Sequence, residues 1–201
     1  MRKRKPKDPC QICFLHIDRC ICDSIPNLTL KTKITLVIHT KELKRTTNTG
    51  RLAIKALTNS EMRIRGLDHE AMDLSDLLTP NYRTLLFYPA DDAIELTKDL
   101  VLESDLPIQL IVPDGNWRQA SKVHYRHPEL KDIPRVKIST PNLATAHIRP
   151  ETTEAGMATL EAIAAALGII EGEAVKLELM KLFNKKLDAT LLGRGIFPQT
   201  T

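Results

Sequence analysis

Downstream of Pro26, short apolar runs alternate with segments of helical spacing, and that alternation limits the chain to a small set of folds. Ile34 to Ile38, Arg83 to Tyr88, Ile108 to Val112 and Arg135 to Ser139 read as strands, with Pro89 and Pro113 closing the second and third. Thr49 to Asn59, Ala93 to Leu102 and Asn116 to Tyr125 read as helices. Two more helices follow. One sets Met157, Leu160, Ala164 and Leu167 on a common face, and the other does so with Val175, Leu179, Phe183 and Lys186/Leu187. Near-continuous apolar strands separated by helices predict an α/β fold, a mostly parallel sheet with helices on both faces. The 201 residues suffice for one such domain over residues 27–201, with a small appendage over residues 1–26.

In a parallel sheet, ligands sit beyond the carboxyl ends of the strands. The segments leaving those ends are 39–42, 89–92, 113–117 and 139–142, and they gather much of the polar chemistry into one rim. Asp114 ends an apolar strand just before a helix, so it is either an N-cap or a carboxylate aimed at a ligand. Trp117, the one tryptophan, either walls a ligand or packs its helix on the sheet. Asp91 and Asp92 fit a solvated turn as well as an acid–base role.

Charge is uneven. Residues 1–55 hold thirteen Lys/Arg against four Asp/Glu, a net +9 in a chain of net +4. Lys44, Arg45 and Arg51 lie on a strand exit and the next helix, while Arg118, Lys122 and Arg126 recur every four residues along one helix face. A single basic face is usually just solvated. Two of them with a basic tail point to phosphates of a nucleic acid.

All four cysteines fall in the pattern Cys10-x2-Cys13-x6-Cys20-x-Cys22, with none elsewhere. Four soft thiolates suit one tetrahedral zinc ion, and His16 is a spare ligand. Disulfides are the competing reading. A reducing compartment and the poor geometry of Cys-x-Cys oppose them. The segment is too short for a core of its own, so metal would order it.

The basic start, Met1 to Lys7, has no apolar stretch after it, which reads as no secretory signal and a cytoplasmic protein. No Gly-x-Gly-x-x-Gly follows a strand, and no Walker loop, Gly-x-Ser-x-Gly or His-Glu-x-x-His is present. Dinucleotide dehydrogenases, P-loop enzymes and Rossmann methyltransferases lose ground accordingly.

The ordered motifs are the cysteine pattern, His39-Thr-Lys-Glu-Leu-Lys-Arg-Thr-Thr-Asn-Thr-Gly-Arg51, Tyr88-Pro-Ala-Asp-Asp92, Val112-Pro-Asp-Gly-Asn-Trp-Arg-Gln-Ala120, and Ile148-Arg-Pro150 running into Met157-Ala-Thr-Leu-Glu-Ala-Ile163. Together they resemble the DTW-domain family of tRNA-uridine aminocarboxypropyltransferases, from about Cys10 to Leu187. The name-giving Asp-Thr-Trp stands here as Asp114-Gly-Asn-Trp117, one residue longer. The resemblance implies a SPOUT-like fold with a C-terminal knot. It implies transfer of the 3-amino-3-carboxypropyl group of S-adenosylmethionine to N3 of a tRNA uridine, with methylthioadenosine released. Asp114 would act on the N3 proton or orient the uracil. The donor would lie against Tyr88, Pro89 and Asp91, then Val112, Pro113, Gly115 and Trp117, then Ile138, Ser139 and Thr140, and finally Thr152, Thr153 and Glu154. A SPOUT-like methyltransferase acting on RNA and a non-catalytic zinc-containing RNA-binding protein are the competing expectations.

Overall fold

The computed structural model describes residues 8–66, 72–139 and 157–196, except the side chains of Trp117 and His124. Six strands, β1 (Lys33–His39), β2 (Ser60–Arg65), β3 (Arg83–Phe87), β4 (Ile94–Glu95), β5 (Ile108–Asp114) and β6 (Arg135–Lys137), form one sheet in the order β2-β1-β5-β3-β6-β4. Every pairing is parallel. The helices are α1 (Gly50–Ala56), α2 (Lys98–Leu102), α3 (Trp117–Arg126), α4 (Thr159–Ile170) and α5 (Glu173–Leu192).

The central strands are apolar on both sides because both faces are covered. Ile34, Leu36 and Ile38 of β1, with Leu110 and Val112 of β5, pack in a large core with α1, α2, α4 and α5. Val37, Leu86 and Ile111 point the other way, onto Val123 of α3 and Leu74, Leu77 and Leu130 of the connecting segments. This is the period-two alternation of a strand, read twice. Helices on both faces are therefore as expected.

Four local expectations need correction. Residues 93–102 are not one helix: Ile94–Glu95 pairs with β6, and Thr97 then caps α2 through Leu100 N at 3.2 Å. β5 continues through Pro113, because β3 stops pairing at Ile111 and β1 alone accompanies the last three residues. α1 ends at Ala56, where Leu57 turns extended and bridges Leu28. β6 ends at Lys137, and the Ser139 amide is taken by the Glu95 carboxylate at 2.8 Å. The expected knot turns on the path from residue 139 to residue 157, which lies outside the described residues.

β1 and β5 are neighbours whose chains leave in opposite directions. After β1 the chain passes through α1 to β2 on one side. After β5 it passes through α3 to β6 on the other. The carboxyl ends of these two strands are therefore a topological switch point, where open α/β sheets leave a crevice.

Candidate active site and cysteine centre

Asp114 is the last residue of β5 and lies at that switch point, 6% exposed. Its Oδ2 accepts from Asn48 Nδ2 and its Oδ1 from Thr159 Oγ1, each at 2.6 Å. Asn48 comes from the loop after β1 and Thr159 from the first turn of α4, so one carboxylate joins three elements. The approach is tight: a Cβ on Gly50 would lie 2.9 Å from Asp114 Oδ2. Thr49 Oγ1 also accepts the Leu160 amide at 3.2 Å, a second tie between the loop and α4.

Asp114 does not cap α3. Asn116 does, accepting from Gln119 N at 2.9 Å while Gln119 Oε1 accepts from Asn116 N at 2.9 Å. Gly115 admits that box, since a Cβ there would lie 2.8 Å from Gln119 Cβ. Gly115 and Asn116 thus form the turn that frees Asp114 from capping.

The expected rim is assembled in part. Tyr88 leaves β3 and is half-buried, its phenol pushed up by burial. Pro89 and Asp91 are exposed beside it, and Asp92 is committed to Arg135 at 2.5 Å. Pro113 and Gly115 are half-buried at the end of β5, but Val112 is a core residue. Ile138 packs on the main core, and the Ser139 amide and hydroxyl both donate to Glu95. Thr140, Thr152, Thr153 and Glu154, and the Ile148 to Pro150 motif, lie outside the described residues, as does the Trp117 side chain.

The basic residues divide. Lys44, Arg45, Arg118 and Arg126 are exposed and Lys122 half-buried. Arg45 also pairs with the buried Glu42 at 3.1 Å. Arg51 faces inward: its guanidinium lies 4.1 Å from the centroid of the Phe14 ring and donates to the Leu43 carbonyl at 2.5 Å. Two residues join the basic group that spacing did not single out. Arg65, at the end of β2, donates to the Gln119 carbonyl at 3.1 Å. Burial, followed by the Arg126 charge, lowers its pKa. His39 is held below the ordinary histidine value by burial, then by Arg65, Lys41 and Lys122, with Glu42 pulling the other way. The strand exits and α3 thus share one positive field.

The four cysteine Sγ atoms lie within 4.8 Å of one another. Cys10 and Cys22 are 3.5 Å apart, Cys13 and Cys20 3.8 Å. A tetrahedral ion about 2.3 Å from each sulfur requires edges of roughly 3.8 Å, so the donor set fits. Burial raises the Cys10 thiol, but the Cys13 and Ile12 amides bring it net down to about 6. Burial and the neighbouring thiols push Cys22 far up. One thiolate opposes the next unless a cation sits among them. The tip of the knuckle, Phe14, takes a positive φ of 58°. On one side of it, Lys186 of α5, wholly buried, donates from Nζ to the Cys13 carbonyl at 2.6 Å. Burial draws this lysine down to about 8, against the pull of the nearby cysteines. Cysteine clustering could be read from spacing. Helical spacing put position 186 on the inner face of its helix, but the partners of Asn48, Thr159 and Lys186 could not be read, because each meets its partner from a distant part of the chain.

Among the described residues no helix is long and apolar enough to cross a membrane. In sequence, the chain is 27% identical over 172 residues to a Drosophila melanogaster protein named tRNA-uridine aminocarboxypropyltransferase 2, covering 82% of this chain and 67% of that one. Proteins of the same name from Macaca fascicularis and Mus musculus are 27% and 26% identical over 176 residues. There the match spans 84% of this chain but 58% of each relative. In structure, it resembles the SAM-dependent rRNA:acp-transferase Tsr3 from Vulcanisaeta distributa with a TM-score of 0.47 and 14% identity, over 81% of this chain and 79% of that one. The DTW domain profile matches residues 7–191, so this chain belongs to the DTW-domain family.

Proposed function

We propose that this protein transfers the 3-amino-3-carboxypropyl group of S-adenosylmethionine to N3 of a uridine in tRNA. The observation that carries the reading is the family match across residues 7–191, with relatives named for that transfer. The switch point at the carboxyl ends of β1 and β5 supports placing the reaction there.

The sulfonium of the donor already makes a good leaving group, so the protein's task is positioning. The uracil N3 must meet the butyrate methylene rather than the methyl, at roughly 3–3.5 Å. In this reading the donor lies along the strand exits at Tyr88 to Asp91, Pro113 to Trp117 and Ile138 to Thr140. Asp114 stands at this switch point, and in this reading it accepts the N3 proton or orients the uracil. Asn48 and Thr159 donate to its two oxygens and fix the orientation of the carboxylate. Thr152 to Glu154 belong to the same proposed rim.

Lys44, Arg45, Arg118, Lys122 and Arg126 hold tRNA phosphates in this reading, with Arg65 and His39 beside them. Arg51 is set apart by its inward guanidinium. The uridine leaves its stack to expose N3. Cys10, Cys13, Cys20 and Cys22 hold one zinc ion that shapes the knuckle and stays away from the reacting carbon.

Nucleoside mass spectrometry of tRNA, from cells with and without this protein, tests the reading. The expected result is loss of one aminocarboxypropyluridine. With purified protein, methylthioadenosine should accumulate. Accumulation of S-adenosylhomocysteine would mean methyl transfer instead, and no donor binding at all would leave an RNA-binding protein.

A further inference from the structure

We propose that Arg51 is a positioning residue that ties the cysteine knuckle to the Asp114 carboxylate. Two of its groups reach opposite ends of the tie. The guanidinium covers the Phe14 ring at the tip of the knuckle and donates to the Leu43 carbonyl, which pins the loop after β1. The backbone amide of the same residue donates to Asn48 Oδ1 at 3.2 Å, and Asn48 Nδ2 donates to Asp114 at 2.6 Å. Gly50, one residue earlier, is the point at which α1 presses on that carboxylate.

A second arm closes the loop. The Cys13 carbonyl, next to Phe14, accepts from Lys186 of α5. α5 packs on α4 in the main core, and Thr159 at the start of α4 donates to the other oxygen of Asp114. Phe14 is thus gripped by the segment that holds one oxygen of Asp114, and Cys13 by α5, which packs on the helix that holds the other. A knuckle that moves would move both donors. A cation over an aromatic face with a second donor bond is worth enough to shift local opening by about tenfold.

The test is hydrogen exchange, read by mass spectrometry on the full chain as isolated, for Arg51→Met, Arg51→Lys and Phe14→Leu. Arg51→Met should speed exchange across residues 47–52 and 157–160 by about tenfold and lower kcat more than it changes donor KM. Arg51→Lys keeps a cation over the ring and should restore part of the protection. Phe14→Leu combined with Arg51→Met should be no worse than the poorer single variant, since both remove the same interaction. Unchanged exchange at 47–52 in Arg51→Met, or additive effects in the pair, would overturn the tie. If that variant does not fold, the wild-type chain stripped of metal is measured. A loosened knuckle with residues 47–52 unchanged overturns the proposal just as well. The metal arm rests on the zinc reading, and the two fail separately. Protein isolated without zinc, yet loosened by Arg51→Met, sinks that reading and upholds the tie.

Discussion

Replacing Asp114 with Asn separates holding from chemistry at a single position. Asn can accept from Asn48 with its oxygen and donate its amide to Thr159 Oγ1, whose hydroxyl turns over. The fold should therefore survive, with about 1–2 kcal/mol lost as charged hydrogen bonds become neutral. Turnover should fall by roughly 10²–10⁴ if Asp114 takes the N3 proton. A folded variant with near-normal transfer would leave Asp114 as a tie between β5, the loop after β1 and α4. Gly50→Ala probes the same spot sterically. Its Cβ would meet Asp114 Oδ2 at 2.9 Å and Leu36 and Thr159 at 3.1 Å, none of them free to withdraw. Destabilisation of about 1–3 kcal/mol is expected, measured by urea unfolding. At this scale spacing singled out Asp114, while its holders lay inside the family motifs with no role to mark them. Asn48 lies 66 residues before it and Thr159 45 residues after, and no local spacing rule connects them.

At the scale of elements, β2 carries a pH dependence of its own. Glu61 is half-buried, so burial raises its pKa, but Lys33 at 2.6 Å and Arg63 at 2.9 Å outweigh that and leave it below the ordinary value of 4.5. A depressed folded pKa gives stability that is present above 4.5 and lost as pH falls through the folded value. Denaturation series run from neutrality into acid should show that slope, and Glu61→Gln should remove it. The same element explains what the sequence hid. Ser-Glu-Met-Arg-Ile-Arg shows no apolar run because β2 is an edge strand, half-buried along most of its length. Central β5, buried on both faces, was plain from Ile108 to Val112. The residue types also concealed the split of 93–102, because Leu96 and Leu100 keep a helical spacing although a two-residue strand and a cap intervene. For α3, the charge-reversed pair Lys122→Glu and Arg126→Glu should weaken tRNA binding and reduce its salt slope by about one unit for each phosphate that is no longer neutralised. Donor affinity should be unchanged. Equal tRNA affinity in filter-binding titrations would make this face merely solvated.

For the whole molecule, the question is whether the knuckle decorates the sheet or belongs to it. Cys13, Leu15 and Ile21 are buried in the same core as Leu179, Leu182 and Phe183 of α5. Lys186 is wholly buried beneath the Cys13 carbonyl, so the knuckle roofs a cation that would otherwise seek water. The segment is too short for a core of its own, so a bound ion would supply its order. Removing that ion would set four crowded thiols against one another and release the roof. Losing the burial of about three side chains corresponds to roughly 3–6 kcal/mol. In a chain of this size that lowers Tm by on the order of 10 °C. Metal analysis should find about one zinc per chain. Thermal melts with a strong chelator should show the drop, and zinc added back should restore it in a concentration-dependent way. A chain that melts unchanged after chelation, with its zinc shown to be gone, would make the ion dispensable. The packing of Leu15 and Ile21 on α5 would then hold the knuckle unaided.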